Sequence, residues 1–226
     1  MNAVSCRRMH RARRLAAIGL LGACVTTAAA AADFRGFVSD GPAGLLVFQP
    51  CVGASLGRQV FKVSDKSRNT ALTAGASAVR QVMEDASRPL YVEFAGEAGG
   101  DSLIVRRFHR AIGHIVACAS APKDIAPATV LQASGADPGW RFIATANGAQ
   151  LELASGKTVR FPADPFKPTK AASTQVFDAW SSRDGGTVRV EITEEMCLEE
   201  RTETASGARV ALRYASTSVE GCAARF

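Results

Sequence analysis

The residue types in this chain that could do chemistry are its cysteines, its few histidines and a crowd of glutamates near the C-terminus. Four cysteines, Cys51, Cys118, Cys197 and Cys222, lie beyond the N-terminal segment. None forms the Cys-x-x-Cys spacing of redox dithiols and many zinc sites. Exported cysteines are expected to bridge, and four of them allow three connectivities. The expected pairing is Cys51–Cys118 and Cys197–Cys222, because each bridge then stays within one half of the chain. In the chain-entropy model each would contribute about 3–5 kcal/mol. Glu194, Glu195, Glu199, Glu200 and Glu203 surround Cys197. Paired carboxylates can do general acid–base work or hold a hard cation, but no histidine adjoins them, and the run reads as a solvated loop. On one continuous strand the odd separation of His109 and His114 puts them on opposite faces, so they do not form a metal pair unless Gly113 turns the chain. No Gly-x-Ser-x-Gly, His-Glu-x-x-His or phosphate-cradling glycine loop occurs. The sequence therefore assigns no catalytic residue, no metal ligand and no cofactor, and the expectation is a non-enzymatic protein.

The compartment follows from the N-terminus. Arg7, Arg8, Arg11, Arg13 and Arg14 precede an apolar run from Leu15 to Ala23, with no acidic residue before Asp33. That run is far shorter than the roughly 20 residues a membrane-spanning helix needs. A basic start, a short apolar centre and small residues describe an export signal over residues 1–32. Two endings stay open. Ala30-Ala31-Ala32 has the form of a signal-peptidase site, whereas Leu21-Gly22-Ala23-Cys24 has the form of a lipobox, in which Cys24 is lipidated and becomes the N-terminus. The protein is accordingly expected in the periplasm or at the outer membrane, touching a membrane only through such an anchor. The full chain carries 27 Lys+Arg against 21 Asp+Glu, or +6. Without the five leader arginines the balance is 22 against 21, so the basicity belongs to the leader and does not point to nucleic acid.

The elements that would position these residues read as mainly β with one helix. Residues 33–122 form an α+β module, with apolar runs at Gly44–Phe48, Gln59–Val63, Leu90–Phe94 and Leu103–Phe108. Between them Leu72, Ala76, Val79, Val82 and Met83 recur at helical spacing over Thr70–Ala86, with Asn69 as candidate N-cap and Pro89 as stop. Gly75 weakens that helix by about 1 kcal/mol relative to Ala. Residues 123–138, rich in Ala, Pro, Ser and Gly, read as a linker or long loop. Residues 139–226 alternate apolar and polar through repeated hairpins, the Asn147-Gly148 turn being the strongest signal. They are expected to form an antiparallel barrel or half-barrel.

Gly139-Trp140-Arg141-Phe142, Gly156-Lys157-Thr158-Val159-Arg160-Phe161-Pro162 and a Cys197 followed by Gly221-Cys222-Ala223 resemble one family of bacterial envelope proteins. Its members carry a small lipocalin-like barrel related in layout to heat-shock META-type domains. Some have a preceding module with a strand like Phe48-Gln49-Pro50-Cys51. The resemblance implies an envelope protein that binds a ligand or a protein partner. The family's Asp-Gly-Met-Ser-like stretch and Tyr-Pro-Tyr after the first cysteine are replaced here by Leu198-Glu199-Glu200-Arg201-Thr202-Glu203. Separately, Ser206-Gly207-Ala208-Arg209 resembles the loop with which membrane-bound inhibitors of c-type lysozyme enter the enzyme's cleft. That likeness implies a binding loop in which Ser206 and Arg209 meet catalytic carboxylates and Gly207 permits the turn. The leading expectation is an exported, non-enzymatic envelope protein that binds a ligand or partner. The alternative is an inhibitor of c-type lysozyme.

Overall fold

The computed structural model describes residues 32–51, 59–121, 128–162, 168–171, 174–181 and 186–226. The segment read as an export signal, Cys24 and the candidate processing sites lie outside them as far as Ala31. The described chain is mainly β with one α-helix.

Five strands close the first barrel: β1 (Ala32–Asp40), β2 (Leu46–Pro50), β3 (Phe61–Asp65), β4 (Leu90–Gly99) and β5 (Ser102–Ile112), with helix α1 (Ala71–Val82) between β3 and β4. Strand β1 pairs antiparallel with β2 and β4, β2 pairs with β3, β3 runs parallel to β5, and β5 returns to β4. The ring order β1-β2-β3-β5-β4 with a helix after β3 is the connectivity of the OB-fold. Alternation sends Phe34, Phe48, Phe61, Phe94, Leu103 and Val105 inward, where their rings and branches meet the buried face of α1, Leu72, Ala76 and Val79. Phe94 lies 5.1 Å from Phe48 and 5.5 Å from Phe34 between ring centroids.

The helix is shorter than its pattern and starts differently. Asn69 and Thr70 adopt left-handed backbone, and neither caps through its side chain. The orphan amides are met from upstream instead: Ala71 N donates to Ser67 Oγ (2.9 Å) and Thr73 N to Asp65 Oδ2 (2.8 Å). At the other end a turn built on Asp85, whose carboxylate accepts from Ser87 N and Oγ, replaces the expected last helical residues. Gly75 has a packing reason, since a Cβ there would meet the Phe108 ring at 2.8 Å.

The second barrel is a meander: β6 (Thr129–Ala136), β7 (Gly139–Thr145), β8 (Gly148–Glu152), β9 (Thr158–Phe161), β10 (Thr169–Ala171), β11 (Thr174–Trp180) and β12 (Thr187–Thr193). A short hairpin, β13 (Cys197–Glu199) and β14 (Thr204–Ser206), follows, and then β15 (Ala208–Tyr214) and β16 (Thr217–Arg225). The sheet order is β10-β11-β12-β15-β16-β6-β7-β8-β9. The stretch read as a linker therefore holds β6, which joins the two ends of the meander by pairing with both β16 and β7. Inward residues from strands that do not pair meet across the interior. Phe142 lies 6.3 Å from Phe177, and Phe161 lies 6.2 Å from Tyr214. This barrel is filled by its own side chains.

The β13–β14 hairpin leaves the second sheet and joins the first. Thr204, Ala205 and Ser206 pair with Ile112, Ala111 and Arg110 of β5. Ala205 is fully buried in the first barrel's core, with Met196 and Leu198 packed against it. The second module thus contributes two strands to the first, and the Cys197–Cys222 bridge ties that hairpin back to β16.

Candidate functional site

The loop between β1 and β2 and the loop between β4 and β5 stand at one end of the first barrel. Between them is an apolar notch of about 260 Å³, floored by Leu46, Val47 and Phe61. Gly41 N donates to Leu45 O (2.7 Å) and Leu45 N to Pro42 O (3.3 Å), which holds the first loop in a tight turn. That turn lifts Leu45 to 51% exposure, and Val60 at the entrance to β3 is 53% exposed. The other wall is polar. Lys62 N donates to Asp101 O (2.9 Å), Lys62 Nζ lies 3.1 Å from Asp101 Oδ2, and Gln59 Nε2 donates to Gly100 O (3.2 Å). The hydrogen bond and charge of Lys62 hold the Asp101 carboxyl below the usual carboxylate range. The arrangement is an apolar seat with one charged edge.

The buried charges lie elsewhere, on the outer face of β4 and β5. Arg110 Nε donates to Glu93 Oε2 at 2.9 Å and its Nη2 to Glu93 Oε1 at 3.3 Å, while Tyr91 Oη donates to the same Oε1 at 2.7 Å. Burial, and then Glu93, push the Tyr91 phenol well above its ordinary value, which keeps it a proton donor. Beside them His109 is 1% exposed; its Nε2 lies 3.2 Å from Asp33 Oδ1 and its ring 5.0 Å from that of Phe226. The His109 hydrogen bond is the main cause that lowers the Asp33 carboxyl, against an opposing effect of burial. Glu93, Arg110 and Tyr91 satisfy one another, as a structural network does.

The residues singled out from sequence have separate fates. Both expected bridges form, Cys51–Cys118 and Cys197–Cys222. The glutamates are tied down more than a solvated loop would be: Glu194 reaches Arg225 (2.6 Å) and Arg68 (3.2 Å), and Glu195 reaches Arg209 (2.7 Å). Among the described residues no group of three His, Cys, Asp or Glu could hold a metal ion. His114 lies past the end of β5, with Nδ1 3.1 Å from Thr202 O, apart from His109.

The Ser206–Arg209 segment is not a presented loop. Ser206 is 5% exposed within β14, and Gly207 N donates to His109 O (3.0 Å). A Cβ on Gly207 would meet Phe108 O at 2.4 Å, so this glycine serves a close crossing of β5. Arg209 is committed to Glu195.

Sequence reasoning missed the notch. Leu45 and Val60 both sat inside runs read as strands, and apolar type alone does not tell which member of such a run stays in water. The only sequence signal was the tight Gly41-Pro42 start of the loop that raises Leu45. Set against protein-family models, curated proteins and solved structures, the chain gives no match in any of the three.

Proposed function

We propose that the protein is an exported, non-enzymatic cell-envelope protein, resident in the periplasm or at the outer membrane, that docks a protein partner through the notch of its first barrel. The observation that carries this reading is the pair Leu45 and Val60, both more than half exposed beside one apolar seat. Barrels of this connectivity bind oligonucleotides and oligosaccharides on the face of strands 2 and 3 and on the neighbouring loops. The notch lies beside the corresponding loops, with an apolar lining suited instead to a protein side chain. Its volume of about 260 Å³ lies just below the roughly 300 Å³ at which small-molecule pockets begin. It suits a single large apolar side chain used as an anchor, with Lys62 and Asp101 at the polar rim. The two disulfides support an oxidising compartment outside the cytoplasm, and no helix among the described residues is long and apolar enough to cross a membrane.

The test is a photo-crosslinking residue in place of Lys62, in the full chain made by a producing bacterium. The expected result is a discrete protein adduct that disappears when Val60→Asp is added. Val116, 69% exposed and not part of the notch, is the control position and should give no such adduct. Absence of an adduct at position 62, or one indifferent to Val60→Asp, would overturn the reading.

A further inference from the structure

A second cavity, of about 190 Å³, opens where the two barrels meet, and its charge is unbalanced. Arg68, Arg106, Arg107 and Arg225 line it, with Phe108 and Met196 as apolar floor and Glu194 and Glu195 as the only carboxylates in its lining. The chain beyond residue 32 is nearly neutral, so four guanidinium groups in one cleft are a local concentration of charge.

The way they come together is built into β5. A regular strand sends neighbouring residues to opposite faces, yet Arg106 and Arg107 are both exposed and both line this cavity. The cause is an irregularity in the β4–β5 ladder: Ala95 pairs with Arg107 and Gly96 with Val105, leaving Arg106 as the extra residue. Bulges of this kind re-aim side chains and recur beside functional sites. Gly96 permits it, since a Cβ there would meet Ile104 O at 2.4 Å.

The carboxylates already present leave room for another anion. Arg106 is paired to Glu97 (3.1 Å), Glu194 bridges Arg68 and Arg225, and Glu195 is taken by Arg209. The Arg107 side chain makes no hydrogen bond or ion pair among the described residues, and its charge acts only at longer range, on Asp33 and Arg225. Arg225, only 21% exposed, is pushed down first by burial, against the opposing charge of Glu194, and then further by the charge of Arg107. Two like charges held side by side in a half-buried cleft are relieved by an anion.

We propose that this cleft binds a phosphate group, free or as the headgroup of an anionic lipid, through Arg107 and Arg225 with Arg106 at its edge. Guanidinium forks match phosphate oxygens two at a time, and the cavity has the size of a headgroup rather than of a whole lipid. The site is independent of the apolar notch, and Val60→Asp leaves it intact.

The test uses the full exported chain with three probes: inorganic phosphate by calorimetry, and phosphatidylglycerol or phosphatidylcholine vesicles by co-sedimentation. Phosphate or phosphatidylglycerol should bind, weakening as salt rises. Vesicle binding that free phosphate competes away identifies the lipid headgroup, whereas phosphate binding without vesicle binding identifies a soluble phosphate compound. Arg107→Gln, on an exposed side chain with no hydrogen bond or ion pair to lose, should weaken binding about tenfold or more. Glu194→Gln, which removes the competing carboxylate, should tighten it. Arg213→Gln, an exposed arginine of β15, should change nothing. The proposal is overturned if neither phosphate nor phosphatidylglycerol binds, or if Arg107→Gln binds as the unaltered chain does.

Discussion

Glu93 and Arg110 hold opposite charges in a place largely shielded from water, with side-chain exposures of 2% and 9%. A pair of this kind adds little to stability over an apolar replacement, but breaking it leaves a buried charge alone. Glu93→Gln should therefore cost about 3–5 kcal/mol, read as a lowered urea midpoint with an unchanged slope; a shift equivalent to less than about 1 kcal/mol would mean that water reaches Arg110. Asp33 behaves differently because it is mostly exposed. Its folded carboxyl is held below its ordinary value, first by the His109 hydrogen bond. A depressed carboxyl contributes stability that is present above the unfolded value and is lost as pH falls through the folded one. Asp33→Asn should thus be less stable than the unaltered chain near neutral pH, and the gap should close as pH drops below about 4. Urea midpoints at neutral and acidic pH decide it, and a gap that stays constant would contradict the assignment.

At the scale of elements, the bulge in β5 is the feature with the clearest consequence. Gly96→Val places side-chain atoms against Ile104 O and should cost about 1–3 kcal/mol, whereas Arg107→Gln should leave the melting temperature unchanged. If thermal melts show equal losses, the bulge is not what positions Arg107. The same strand shows what a sequence can and cannot disclose. Long alternating runs such as Val188-Arg189-Val190-Glu191-Ile192 gave their strands away, because one wet and one packed face leave a period of two. Residues 129–136 did not: Leu131 and Ala133 are the inward pair, and Ala, Ser and Gly around them look like loop. Strand β1 was also missed, although Phe34 and Val38 already alternate with exposed Asp33 and Arg35. The three-residue strands β13 and β14 pair with each other, and β14 pairs with β5, a contact no local pattern encodes. Of the candidate site, the cysteine pairing was legible because each bridge stays within one half of the chain; the notch and the arginine cleft were not, since both are made by segments distant in sequence.

The whole molecule is less divisible than two modules with a linker. Residues 33–121 alone would lack β14, exposing the edge of β5 and the face of α1 that Ala205 covers. That fragment should show no cooperative melt under conditions where the full chain melts cooperatively; a full-strength transition would contradict this tie. Within it, the Cys51–Cys118 bridge closes a separation of 67 residues, and in the chain-entropy model replacing both cysteines by alanine should cost about 4 kcal/mol. The central claim, that the first barrel docks a partner at its open end, is tested most directly by hydrogen exchange on the full chain, free and with the protein captured from position 62. Slowed exchange confined to Pro42–Val47, Val60–Lys62 and the turn around Asp101 is the predicted result. Protection falling instead on the outer strands of the second barrel, with the notch unchanged, would contradict it.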